Sequence, residues 1–144
     1  MGMSLLGCAT AAGGDPLPIR LLVKGAFSGI QEAKQMVIKD RAAWEMLWTQ
    51  HNVNKASAAP LPEVDFSKEM VIVATMGTKR TGGFSLEIVR AERRGKKLRI
   101  VVQQASPPPG AMTIQALTAP FHFVAVPRRD LEAEFIGVNP PARK

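Results

Sequence analysis

The segment Glu69–Met76, EMVIVATM, is apolar almost throughout. A strand that hides one face alternates apolar with polar residues. A strand that is apolar on both faces needs cover above and below. This run therefore predicts a central strand, and the rest of the chain must supply two covers for it. Residues 84–91 alternate, with Phe84, Leu86 and Ile88 on one face and Ser85, Glu87 and Val89 on the other. Residues 97–104 alternate again, with Leu98, Ile100 and Val102 turned inward. Between them Glu92-Arg93-Arg94-Gly95 reads as a turn, so the pair predicts a β-hairpin. The three stretches are expected to pair edge to edge in one sheet.

A helix is expected to seal one side of that sheet. Asp40 is a good N-cap, and Trp44, Leu47, Trp48 and His51 follow on one helical face. Such a stripe predicts a helix anchored on the sheet by its two indoles. Residues 19–27 and 35–39 read as strands upstream of it. Residues 55–63, with Pro60 and Pro62, read as a linker. Pro107-Pro108-Pro109-Gly110 interrupts the ladder, because proline has no amide to donate. Residues 111–118 and 121–126 read as further strands, and Glu132–Val138 as a closing one. In 121–126, Phe121 and Phe123 share a face opposite His122 and Val124.

These elements predict an α+β fold that is predominantly antiparallel β. Its six to eight strands form a sandwich or small open barrel with one amphipathic helix. At 144 residues the chain fits one domain. It divides into a flexible tether at 1–18, a β-rich domain at 19–138 and a disordered basic tail at 139–144. No apolar run reaches the roughly 18–20 residues that span a bilayer.

The net charge of +7 is concentrated in one stretch. Lys79, Arg80, Arg90, Arg93, Arg94, Lys96, Lys97 and Arg99 are opposed there only by Glu87 and Glu92. One reading is a solvated hairpin whose charges guard a strand edge. Another is a patch for an anionic partner: lipid head groups, nucleic acid or an acidic protein face. Nucleic acid is disfavoured, because the stretch interleaves only Phe84 with its cations, that ring is expected to face the core, and the chain has no tyrosine. The single cysteine, Cys8, excludes an internal disulfide. Leu5-Leu6-Gly7-Cys8 resembles a bacterial lipobox, which makes Cys8 the expected lipid-attachment residue and the membrane an expected contact. The small residues from Ala9 to Gly14 suit a tether.

Catalytic and metal motifs do not assemble from the sequence. Gly77 and Gly82 have phosphate-loop spacing, but Gly83-Phe84 and a strand follow where Lys-Ser/Thr and a helix are needed. Cys8, His51 and His122 share no ligand-like spacing. His122, among apolar strand residues, reads as structural. No Gly-x-Ser-x-Gly elbow is present, although a Ser–His pair can still form in three dimensions. No residue is assigned to catalysis, a metal or a cofactor.

Val64-Asp65-Phe66-Ser67-Lys68-Glu69-Met70-Val71-Ile72, then Thr81-Gly82-Gly83-Phe84-Ser85-Leu86-Glu87-Ile88, then Pro108-Pro109-Gly110 and Ala116-Leu117-Thr118-Ala119-Pro120-Phe121-His122 occur in that order. With Trp44-x-x-Leu47-Trp48-x-x-His51 upstream, this ordered set resembles the C-terminal domain of PrcB, a bacterial protease-complex lipoprotein subunit. The resemblance spans roughly residues 35–127 and implies a noncatalytic domain of the cell envelope, lipid-anchored or periplasmic, with a protein partner that is a protease in the named member. It carries no site residues. The expected partner surface is therefore read from the loops, as Lys79, Arg80, Thr81, Gly82 and Gly83 together with Pro108, Pro109 and Gly110. The alternatives are a basic adaptor for anionic lipid or nucleic acid, and an unrecognised hydrolase. The paired glycines admit a second reading, a tight turn or bulge before a strand.

Overall fold

The computed structural model describes residues 14–53, 55 and 59–138. Among the described residues eight strands and one helix follow in the order β1 (Asp15–Pro16), β2 (Arg20–Gly25), β3 (Ala33–Ile38), α1 (Arg41–His51), β4 (Glu69–Met76), β5 (Ser85–Arg94), β6 (Lys97–Ala105), β7 (Phe121–Pro127) and β8 (Glu132–Val138). They make two four-stranded sheets, ordered β1-β5-β6-β8 and β2-β7-β4-β3. The fold is an α+β sandwich with one helix packed on the outside of the second sheet.

The apolar run behaves as its pattern requires. Met70, Ile72 and Ala74 point into the sandwich, against Leu86, Ile88, Leu98, Ile100 and Val102. Val71 and Val73 point the other way, under Trp44, Leu47 and Trp48 of α1. β7 does the same, with Val124 and Val126 turned into the sandwich and Phe121 and Phe123 turned toward the helix. The central sheet is thus the middle of three layers. Asp40 accepts the Ala43 amide at 2.8 Å and starts α1, and Asn52 ends it. The indole of Trp44 donates to the Pro62 carbonyl at 3.1 Å and that of Trp48 to Ala59 at 3.0 Å. The linker is therefore laid along the helix, and Leu61, Val64 and Phe66 fill the margin of the aromatic cluster.

Three expectations are corrected. β4 does not pair with the hairpin. β5 and β6 pair with each other, while β4 joins β3 and β7 and meets the hairpin face to face. A strand apolar on both sides gains more as the middle layer than beside a one-sided hairpin. The predominantly antiparallel arrangement holds with one parallel pair between named strands: β8 runs parallel to β6, because the short connection from β7 returns the chain to the end where β6 begins. Residues 111–118 form no strand and cross between the sheets as an irregular segment, touching the loop before β5 through a bridge at Lys79 and Thr118. Pairing also starts before Ile19. Asp15 and Pro16 lie against Arg93 and Glu92, and Leu17 is buried in the core. The segments 1–13 and 139–144, with Cys8, lie outside the described residues.

His122 joins the two sheets. Its Nδ1 accepts the amide of Ile88 at 2.8 Å, where β5 carries a bulge between Ile88 and Arg90. The bulge shifts the register so that Ala91 turns inward. The acceptor role requires a neutral ring, and burial pushes the pKa of His122 down from 6.5 to about 4, with Lys24 adding to the effect and Glu87 opposing it. His51, buried under Trp48, Phe121 and Phe123, is lowered to about 4 by burial and then by Lys55.

Two outcomes follow for stability. Trp44→Ala removes a fully buried indole and its bond to the linker, and should cost about 3–5 kcal/mol in urea unfolding. Both histidines favour the neutral form when folded, so the stability they contribute is complete above pH 6.5 and is lost as the pH falls toward 4. The urea midpoint should drop through that window, and His122→Gln should make the drop shallower.

Candidate functional site

The sandwich has two unlike ends. At one end the chain crosses between sheets twice, after β4 through residues 77–84 and after β6 through 106–120. The turn at 26–32 and the C-terminus of α1 lie at the same end, since Gly29 donates to the His51 carbonyl at 2.8 Å and Ser28 to Ala119 at 3.0 Å. At the other end are the hairpin turn at Gly95 and the short β7–β8 connection.

The two crossovers are fastened together. Lys79 and Thr118 exchange backbone bonds of 2.7 and 2.9 Å, and the amide of Gly82 donates to Ile114 at 3.0 Å. The Thr118 hydroxyl donates to the Thr81 carbonyl at 2.8 Å. Gly83 has φ +92°, and a Cβ there would lie 2.8 Å from Pro107 Cβ. A Cβ on Gly82 would lie 2.7 Å from Ile114 Cγ1. The glycine pair thus answers a packing need beneath the second crossover. Pro108 to Ala111 closes a turn with a 3.0 Å bond, Pro109 and Gly110 at its centre and Gly110 at φ +82°. That is the signature of a type II turn.

All eight expected partner-surface residues therefore fall at this end, in two loops that touch. The sequence reading missed the residues that face outward between them. Met112 is 99% exposed, Leu117 67%, Ile114 58% and Phe27 56%. Phe27 and Leu117 flank a cleft of about 320 Å³ whose wall includes Ser28, Lys55, Thr78 and Thr118. The spacing of Met112, Ile114 and Leu117 was a signal. Steps of two and then three after a proline break match neither a strand nor a helix.

Lys79 and Arg80 sit here with Lys55, and no carboxylate lies within ion-pair distance of the three among the described residues. The Lys79 ammonium lies 5.2 Å over the ring of Phe84. Phe84 is half-buried beneath it, not set in the core as its place in the alternation implied. The basic stretch is divided. β5 holds ten residues, about 30 Å at strand rise, and it carries Arg93, Arg94 and Lys96 away from Lys79 and Arg80 to the opposite end. Along the sheet Arg90 and Arg99 flank the buried Glu92 at 3.6 and 3.9 Å. The eight cations do not make one patch.

A Ser–His contact does assemble, with Ser28 Oγ 2.9 Å from His51 Nδ1. The same hydroxyl accepts the Ile30 amide at 3.0 Å. With the backbone bond from Gly29 to His51, the pair pins the 26–30 turn to the end of α1. An imidazole held near a pKa of 4 is a weak base at neutral pH. His51 and His122 lie on opposite faces of β7, one beneath the helix and one between the sheets.

A family model described as PrcB C-terminal matches residues 70–127. The match runs from β4 to the end of β7 and includes both crossovers and the hairpin. No curated protein and no solved structure matches the chain.

The packing of Gly83 gives a check on this end. Gly83→Ala forces a side chain into a positive φ and against Pro107, and should cost about 1–2 kcal/mol. Gly95→Ala, with φ +63° and open space around it, should carry the backbone strain alone and cost less, as read by thermal melting.

Proposed function

We propose, from the premise that residues 70–127 belong to the PrcB C-terminal family, that this chain is a noncatalytic protein-interaction domain of the bacterial cell envelope. Its partner is a protein, with an envelope protease as the first candidate, and it docks on the end of the sandwich where the crossovers meet. The observation that carries this reading is the exposed apolar set Met112, Ile114 and Leu117 on the second crossover, which is fastened to the first, with Phe27 of the 26–32 turn across a cleft from Leu117. Clustered apolar side chains on a rigid, exposed segment mark a binding surface more often than a solvated loop. Lys55, Lys79 and Arg80 around it favour a partner face with acidic residues at its rim.

The noncatalytic reading is supported by the way the Ser28–His51 contact is spent on fixing a turn. The envelope reading is supported by the Leu-Leu-Gly-Cys pattern ending at Cys8. By this reading the membrane attachment is lipid at Cys8; among the described residues no helix is long and apolar enough to cross a membrane.

The test is site-specific photo-crosslinking in cells of the source bacterium, with the crosslinker at Met112 or Pro108 and a control at Lys96. Crosslinks to one protein from the two loop positions and not from the control are expected. Met112→Asp with Leu117→Asp should abolish that product with little change in melting temperature. Crosslinks from Lys96 alone, or from none of the three positions, refute the docking surface.

A further inference from the structure

The end opposite the crossovers has its own chemistry. Arg93, Arg94, Lys96 and Lys97 surround the β5–β6 turn at Gly95. The carboxylates nearby are already matched, Asp15 by Arg93 at 2.6 Å and Glu132 by Lys97 at 3.2 Å. Asp130, on the neighbouring connection, is held by Arg128 and Lys39 at 3.4 and 3.5 Å. Arg94, Lys96 and Arg129 have no carboxylate within 4 Å among the described residues. The segments 1–13 and 139–144 contain no Asp or Glu.

The chain also enters the domain here. Gly14 lies directly against the Arg93 carbonyl and beside Arg94, too close to admit a Cβ. Gly14 therefore lies beside the hairpin turn. Cys8 is six residues upstream, so it reaches at most about 20 Å from Gly14. The intervening residues carry no charge.

We infer that the β5–β6 turn, through Arg94 and Lys96 with Arg93, Lys97 and Arg129 around them, is a contact for an anionic phospholipid surface, which holds the domain with its crossover loops pointing away from the bilayer. On the proposed reading that Cys8 carries the lipid, charge and attachment coincide at one end, and this geometry favours lipid over nucleic acid. Basic residues strengthen binding to an anionic leaflet only within about a Debye length of it, roughly 8–10 Å at ordinary salt. A turn that sits where the tether leaves the domain meets that condition, and Lys79 and Arg80, about 30 Å away along β5, do not.

The experiment uses the purified chain without lipid and vesicles of phosphatidylcholine, either pure or with three parts in ten phosphatidylglycerol. Cosedimentation should show binding to the mixed vesicles only, weakening steeply as salt rises. Arg94→Glu with Lys96→Glu should weaken it about 10-fold or more, and Arg94→Gln with Lys96→Gln should weaken it by less. Lys79→Glu with Arg80→Glu makes the same change in net charge and should have an effect under about 3-fold. Equal losses from the two glutamate pairs would reduce the contact to overall charge and overturn the inference. So would absent binding at low salt, equal binding to pure phosphatidylcholine, or tighter binding of the turn to a 20-base-pair DNA duplex. None of these outcomes bears on the crossover loops, whose crosslinks are read separately.

Discussion

The structure depends on burying one sheet on both sides. β4 and β7 lie adjacent in its centre, and nearly every side chain on them is inaccessible to solvent. A sheet covered on one side by a hairpin and on the other by a helix gains hydrophobic stabilisation from both faces. It also needs every buried polar group satisfied, and the chain meets that need locally. The Thr75 hydroxyl donates to the Glu32 carbonyl and accepts the Lys34 amide. His122 accepts the amide freed by the bulge in β5. The indoles donate to the linker. Among the described residues no buried side-chain nitrogen or oxygen is left without a partner.

How far this was legible in the sequence differs between layers. The centre was legible because its signal is local. EMVIVATM cannot be a one-sided strand, and Trp44, Leu47, Trp48 and His51 cannot face anything but a core. The hairpin was legible from two alternating runs and a glycine turn. The sheet to which the hairpin belongs was not, because alternation in β5 and β6 shows that one face of the hairpin is buried and not whether β4 lies beside the hairpin or against that face. The parallel arrangement of β8 was hidden for the same reason, since strand direction is set by the end at which a connection returns. The strand predicted at 111–118 failed for a different cause. Apolar residues there are exposed, and periodicity reads apolar character as burial.

The candidate site was legible by position and not by content. Glycine and proline marked both loops correctly, because Gly83 and Gly110 occupy positive φ. The reason for the glycine pair lies across a crossover some thirty residues on, at Pro107, Thr113 and Ile114, beyond what local spacing encodes. The basic stretch misled through the same limit. Charges adjacent in sequence on a ten-residue strand and its flanks are distributed over the length of the sheet, so a patch that looked single divides into a group at each end and a buried-carboxylate cluster between them.

The family match and the packing together define what the remaining segments are for. Residues 70–127 supply β4, the hairpin, both crossovers and β7. They contain the crossover end of the sandwich almost whole, but not β2, β3, α1 or β8. Without these, Val71, Val73, Phe121 and Phe123 would face water on one side of the central sheet, and β4 and β7 would have open outer edges. The segments outside the match therefore close the sheet and cover it, and the segment within it carries the loops. Within the matched segment the crossovers are held together where Pro107, Thr113 and Ile114 pack on Gly82 and Gly83, at spacings that admit no Cβ.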